Sequence, residues 1–258
     1  MLGVARPDSL TGPMIVVAPP EPSLAPFVPT APAIRRLGRV GYRDAWSLQR
    51  RLTAARSAGE IPDTLVLLEH PPVITLGRAG STDHLLGSEA ELEGRGVELV
   101  ASDRGGDITF HGPGQIVGYA IVDLDARGRD LHRYLRDLET VLIRALGEFG
   151  IRAERAAGLT GVWVGDGKVA AIGIRVSRWI AHHGFALNVA TDLSFFDLIV
   201  PCGIADRRVT SMEALLGRPV DRESVEAALG RAFRAVFAEA EVRGGAEVLA
   251  GAERDVPR

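Results

Sequence analysis

The chain has one cysteine and one lysine in 258 residues. A single cysteine excludes an internal disulfide framework and any CxxC metal or redox motif. A lone free thiol suits a reducing compartment. Lysine is as scarce: of 30 basic residues, 29 are arginine and only Lys168 is not. No apolar run approaches the ~18 residues of a membrane span, so no membrane partner is expected. Basic charge is not in excess either. The net charge of −3 argues against nucleic-acid binding, which favours a basic domain. The N-terminus lacks the apolar core of a secretory signal. A cytoplasmic protein is the expectation.

The length suits one sizeable domain. Residues 1–32 hold eight of the fifteen prolines, a density that opposes helix and sheet. The expected organisation is a proline-rich, disordered extension over 1–33, a catalytic domain over 34–240 and a fraying tail over 241–258. Within the domain, Arg36 to Gly41, Thr64 to Glu69, Val73 to Leu76, Glu98 to Ala101, Asp107 to His111 and Gln115 to Val122 read as strands. Helices are expected from Arg43 to Ser57 and from Glu89 to Glu93. Another follows Asp130 with Leu131, Leu135, Leu138, Leu142, Ala145, Leu146 and Phe149 inward. A last one follows Asp221 with Val225, Leu229, Phe233, Val236 and Phe237 inward. Val162 to Val164 and Lys168 to Ile174 flank Asp166-Gly167, which reads as a two-residue hairpin turn. His183 to Asn188 is a further strand. Strands outnumber helices and often follow one another directly. The fold class is therefore α/β of the α+β type, a mixed sheet with packed helices.

Two residues carry the chemical argument. A lone cysteine is ordinarily a small buried hydrophobe. Cys202, however, sits between Pro201 and Gly203, where a substrate carbonyl can approach backbone N–H groups. A thiol with pKa near 8.5 needs a base or a positive neighbour to become a nucleophile at neutral pH. None of the six histidines is marked out as that partner. Lys168 would ordinarily be a surface residue at a hairpin exit. Its survival in an arginine-only chain points instead to a nitrogen that must lose its proton, which arginine cannot do. The segment from Arg104 to Gln115 carries four glycines and a proline around a short strand. Thr109 and His111 lie on one face of it, Ile108 and Phe110 on the other, a pattern suited to backbone held close to a ligand. The P-loop, GxGxxG and GxSxG patterns are absent. His182 and His183 are expected on opposite faces of a strand, without ligand spacing, so no metal is expected.

Four segments standing in order resemble the lipoyl(octanoyl) transferase family. They are Arg104-Gly-Gly-Asp-Ile-Thr-Phe-His-Gly-Pro-Gly-Gln115, Gly167-Lys-Val-Ala-Ala-Ile-Gly173, His183-Gly-Phe-Ala-Leu-Asn188, and Pro201-Cys-Gly-Ile204 with Val209-Thr-Ser-Met212. The resemblance covers about residues 35 to 240 and implies the fold of the biotin and lipoate protein ligases in a single domain. It implies transfer of octanoyl, or lipoyl, from acyl carrier protein to a lysine of lipoyl domains. The acceptors would be 2-oxoacid dehydrogenase E2 subunits and the glycine cleavage H protein. Cys202 corresponds to the acyl-thioester nucleophile and Lys168 to the lysine that tunes it. Substrate contacts carry over to Arg104, Gly105, Gly106, Asp107, Ile108, Thr109, Phe110 and His111. They also fall on Ala171, Ile172 and Gly173, and on Gly184, Phe185 and Ala186. No cofactor is implied, because the acyl group arrives activated on the phosphopantetheine of the carrier. Small residues such as Ala170, Ala171 and Gly173 are expected to leave room for the chain.

Overall fold

The computed structural model describes residues 31–200 and 208–252, with side chains through residue 238. The expected extension over 1–33 lies almost wholly outside these residues, as does Cys202. Among the described residues there are ten strands: β1 (Ala33–Arg39), β2 (Thr64–Glu69), β3 (Val73–Leu76), β4 (Glu98–Ala101), β5 (Ile108–His111), β6 (Gln115–Asp123), β7 (Val162–Val164), β8 (Gly167–Ser177), β9 (Ile180–Asn188) and β10 (Arg208–Val209). The helices are α1 (Tyr42–Ser57), α2 (Glu89–Gly94), α3 (Leu131–Gly147), α4 (Met212–Leu216) and α5 (Arg222–Ala252).

The strands form two sheets. The large one runs β1-β2-β6-β9-β8-β10, with β7 on β8; the small one runs β4-β3-β5. The pairing is mixed: β1 and β2 are parallel, whereas β2, β6, β9 and β8 alternate antiparallel. The sequence reading expected one sheet. Pro71-Pro72 after β2 and Gly112-Pro113-Gly114 before β6 explain the difference. Neither segment can continue a ladder, so β3 to β5 leave the large sheet and return.

Helices α3 and α5 pack on one face of the large sheet and α1 on the other. Asp130 caps α3 by accepting the Arg133 N–H, and Asp221 caps α5 by accepting that of Ser224. On α3, Leu138, Leu142, Ala145 and Leu146 are buried as the 3.6-residue period requires, whereas Leu131 is exposed. All five apolar positions expected of α5 are buried. This helix continues to Ala252, past the position near Arg243 where its apolar periodicity stops. The hairpin turn also differs. Val164 pairs with Gly167, so the turn is Gly165-Asp166, with Gly165 at φ +60° in the first central position. A type II′ turn places glycine there.

Candidate active site

The cleft lies where the two sheets meet. Its wall on the small-sheet side is the loop Arg104–Asp107, which runs alongside β8. The Gly105 N–H donates to the Ile174 carbonyl at 2.8 Å. A Cβ on Gly105 would stand 2.8 Å from that same oxygen, and one on Gly173 would stand 2.8 Å from the Gly105 carbonyl. Both positions demand glycine because two backbones touch. Arg104 is buried and fastened to β3. Its Nε and Nη2 donate to the Thr75 hydroxyl, Nη2 to the Thr75 carbonyl and Nη1 to the Gly105 carbonyl. Asp107 accepts from the Ser81 N–H and the His84 ring, which latches the loop over residues 78–84.

On one side of this loop the cleft is lined by aromatic and polar groups: Tyr42, Thr109, His111, Tyr119 and His183, with Ala171 and Gly184–Ala186. It holds only about 50 Å³ of free volume. Hydrogen bonds set the tautomers. The Val40 carbonyl accepts from His70 Nδ1, so Nε2 accepts from the Tyr119 hydroxyl at 2.7 Å. His111 Nδ1 donates to Gln115 Oε1 at 2.8 Å, and Gln115 Nε2 donates to Asn188 Oδ1. Asn188 in turn donates to the Thr210 carbonyl, and the Thr210 N–H to the Lys168 carbonyl. One chain of bonds therefore links the cleft floor to the strand carrying Lys168. Desolvation pushes His70 down to about 4 and His111 to about 3, the latter helped by His70 and Arg104. Both are neutral at physiological pH.

On the other side of the loop a cavity of about 430 Å³ is lined by Ala79, Leu135, Leu159, Ile172 and Ile174 around Lys168. Lys168 is buried, and its Nζ lies 4.8 Å from the Trp163 ring centroid, a cation–π contact. Gly158-Leu159-Thr160 closes this cavity. Its position depends on Glu139, fully buried on α3, which accepts from Arg136, Arg155 and the Gly161 N–H.

Most of the expected site residues meet at this junction. Arg104, Gly105, Gly106, Asp107, Thr109, His111, Ala171, Ile172, Gly173, Gly184, Phe185 and Ala186 line the first cleft, and Lys168 the adjoining cavity. Ile108 and Phe110 face the other way, into the small-sheet core, where Phe110 stacks on Phe195 at 4.6 Å. Ala170 is also turned away, into the main core beneath the large sheet. Cys202 lies outside the described residues. The chain is fixed on both sides of it: Val200 N–H donates to the His84 carbonyl, and β10 pairs in parallel with β8, Val209 opposite Lys168.

Sequence reasoning missed Tyr42 and Tyr119. They sit on elements that read only as core, and no local signal separates them from packing aromatics. It also placed His182 and His183 on opposite faces of a strand. The structure corrects this. His183 adopts φ +58°, off the extended alternation, and both rings turn toward Asp103 with centroids 5.1 Å apart.

A family model described as the lipoyl protein ligase A/B catalytic domain matches residues 41–234. The chain belongs to this family. An octanoyltransferase of Rubrobacter xylanophilus is 54% identical over 209 residues, covering 80% of this chain and 94% of that protein. One from Chloroflexus aurantiacus is 55% identical over 188 residues, covering 72% and 84%. Among solved structures, a bipartite lipoate protein ligase of Thermoplasma acidophilum aligns with TM-score 0.65 at 18% identity, covering 84% and 91%. The fold is thus the mixed α+β fold of the lipoate and biotin protein ligases, and the enzyme is an acyltransferase. Among the described residues no helix is long and apolar enough to cross a membrane.

Proposed function

We propose that this acyltransferase moves an octanoyl group from acyl carrier protein to the lysine of lipoyl domains through a thioester on Cys202. The observation that carries the reading is the placement of Lys168. The only lysine of the chain is buried beside a mostly apolar cavity, on the strand that pairs with β10, and β10 follows in sequence the segment that contains the only cysteine. In this reading Cys202 attacks the donor thioester, the carrier thiol leaves, and the octanoyl chain occupies the cavity lined by Leu135, Leu159, Ile172 and Ile174. Each buried methylene contributes about 0.8 kcal/mol. Lys168 then takes the proton of the incoming amine as the amide bond forms and the Cys202 thiolate departs. The thioester is already activated, so no ATP and no cofactor enter the balance. The acceptors are lipoyl domains of 2-oxoacid dehydrogenase E2 subunits and of the glycine cleavage H protein, and the setting is the cytoplasm.

Intact mass after mixing enzyme with octanoyl-carrier protein tests the reading. The expected result is one octanoyl addition, removable by hydroxylamine and absent in Cys202→Ser. Dependence of turnover on ATP with a free acid would place the chain with the ligases instead. Transfer from an octanoylated lipoyl domain in preference to the carrier would make it an amidotransferase.

A further inference from the structure

We propose that Asp103, His182 and His183 form a binding site for a divalent transition-metal ion of the zinc class at the rim of the cleft. One ligand atom from each of the three lies within 4.8 Å of the others. His183 Nε2 stands 2.8 Å from Asp103 Oδ1, and His182 Nε2 stands 3.7 Å from Oδ2. Tetrahedral zinc with ligands at ~2.0–2.1 Å requires ligand separations of about 3.3 Å, which these two distances bracket. The three atoms, spread over as much as 4.8 Å, draw together by side-chain rotation on binding.

His182 supplies the second observation. It is 6% exposed, its Nδ1 has no hydrogen-bond partner, and its Nε2 is beyond normal hydrogen-bond length from Asp103. Nε2 is the ring nitrogen that faces the Asp103 carboxylate at this long range, and it is the atom an ion would take. The left-handed backbone of His183 is a local cost, held by Gln49 accepting the His183 N–H at 2.8 Å. The groups are in ligating form at neutral pH: burial holds His182 down to about 4 and lowers His183, and hydrogen bonding holds Asp103 near 2. On metal binding the His183 Nε2 proton moves to Nδ1. One cation opposes the ion. Arg175 Nε is 3.5 Å from Asp103 Oδ2, but its side chain is 31% exposed and free to turn toward solvent. Bound metal would tie the Arg104–Asp107 loop to β9, fastening one cleft wall to the other. This site is independent of the acyl-transfer reading.

The test is calorimetric titration of the full chain with Zn²⁺, with Co²⁺ absorption as a second readout, in a Cys202→Ser background that removes the competing thiol. One equivalent should bind in the micromolar range. His182→Gln should weaken it at least ~10²-fold, beyond the usual loss for an outer-shell partner. Arg175→Gln, which removes only the competing cation, should tighten it several-fold. No binding at about 100 µM Zn²⁺, equal binding in His182→Gln, or binding seen only when Cys202 is present would overturn the proposal.

Discussion

The two sides of the Arg104–Asp107 loop are built on opposite plans. The histidine side is small, and its floor is hydrogen-bonded through to Lys168: His70, Tyr119, His111, Gln115 and Asn188 each have a partner. The lysine side is roomier, about 430 against 50 Å³, and mostly apolar around Lys168, with Asp107 and Thr160 as its other polar side chains. Fully satisfied polar networks rigidify their surroundings. An apolar cavity gains free energy when hydrocarbon fills it. In the proposed mechanism one side fixes geometry, and the other takes the acyl chain beside Lys168 as proton acceptor.

That contrast can be broken most severely on the chemical side. Cys202→Ser should lower transfer by about 10³-fold or more while leaving the melting temperature unchanged. Substantial turnover in this variant would remove the covalent step. On the histidine side the expected effect is on stability. His70 and His111 are held well below 6.5 by burial, so the unfolded chain binds protons that the folded one does not as pH falls. Stability is therefore intact above about 6.5 and lost toward about 4, by up to about 1.4 kcal/mol per pH unit for each buried histidine. Urea unfolding across this range should show the decline, and a flat profile would mean that these rings charge freely in the fold.

Smaller effects sharpen the comparison. Ile172 lines both spaces. Ile172→Trp should shift preference toward shorter acyl donors, at roughly fourfold per methylene lost from the cavity. Kinetics with hexanoyl and octanoyl donors check this, and an unchanged ratio would place the chain elsewhere. Deleting residues 1–32 should matter least, because their composition cannot bury a core. A loss above roughly tenfold in kcat/KM, about 1.4 kcal/mol, would make the arm part of the site or of a docking surface.

The sequence made much of this legible where one residue type had one structural use. The alternation of Thr109 and His111 against Ile108 and Phe110 separated cleft from core, whereas Gly105 and Gly173, read as backbone near a ligand and as room for the chain, prove to let two backbones touch. Asp130 and Asp221 announced their helices. Tertiary effects were not legible. The division into two sheets depends on where the Pro and Gly breaks send β3 to β5. The convergence of His182 and His183 depends on a left-handed residue that a period of two cannot anticipate. Tyr42 and Tyr119 gain their role only from the cleft they border.

The proposed mechanism needs Lys168 as a proton acceptor and not merely as a positive charge. Lys168→Arg separates the two roles, since arginine keeps the charge and cannot release its proton. Pre-steady-state rates of Cys202 acylation and of octanoyl transfer to a lipoyl domain should be measured in this variant. Acylation should survive while transfer falls by roughly 10²-fold, the scale of a general-base contribution. Transfer at the wild-type rate would contradict it and leave the lysine only as a charge.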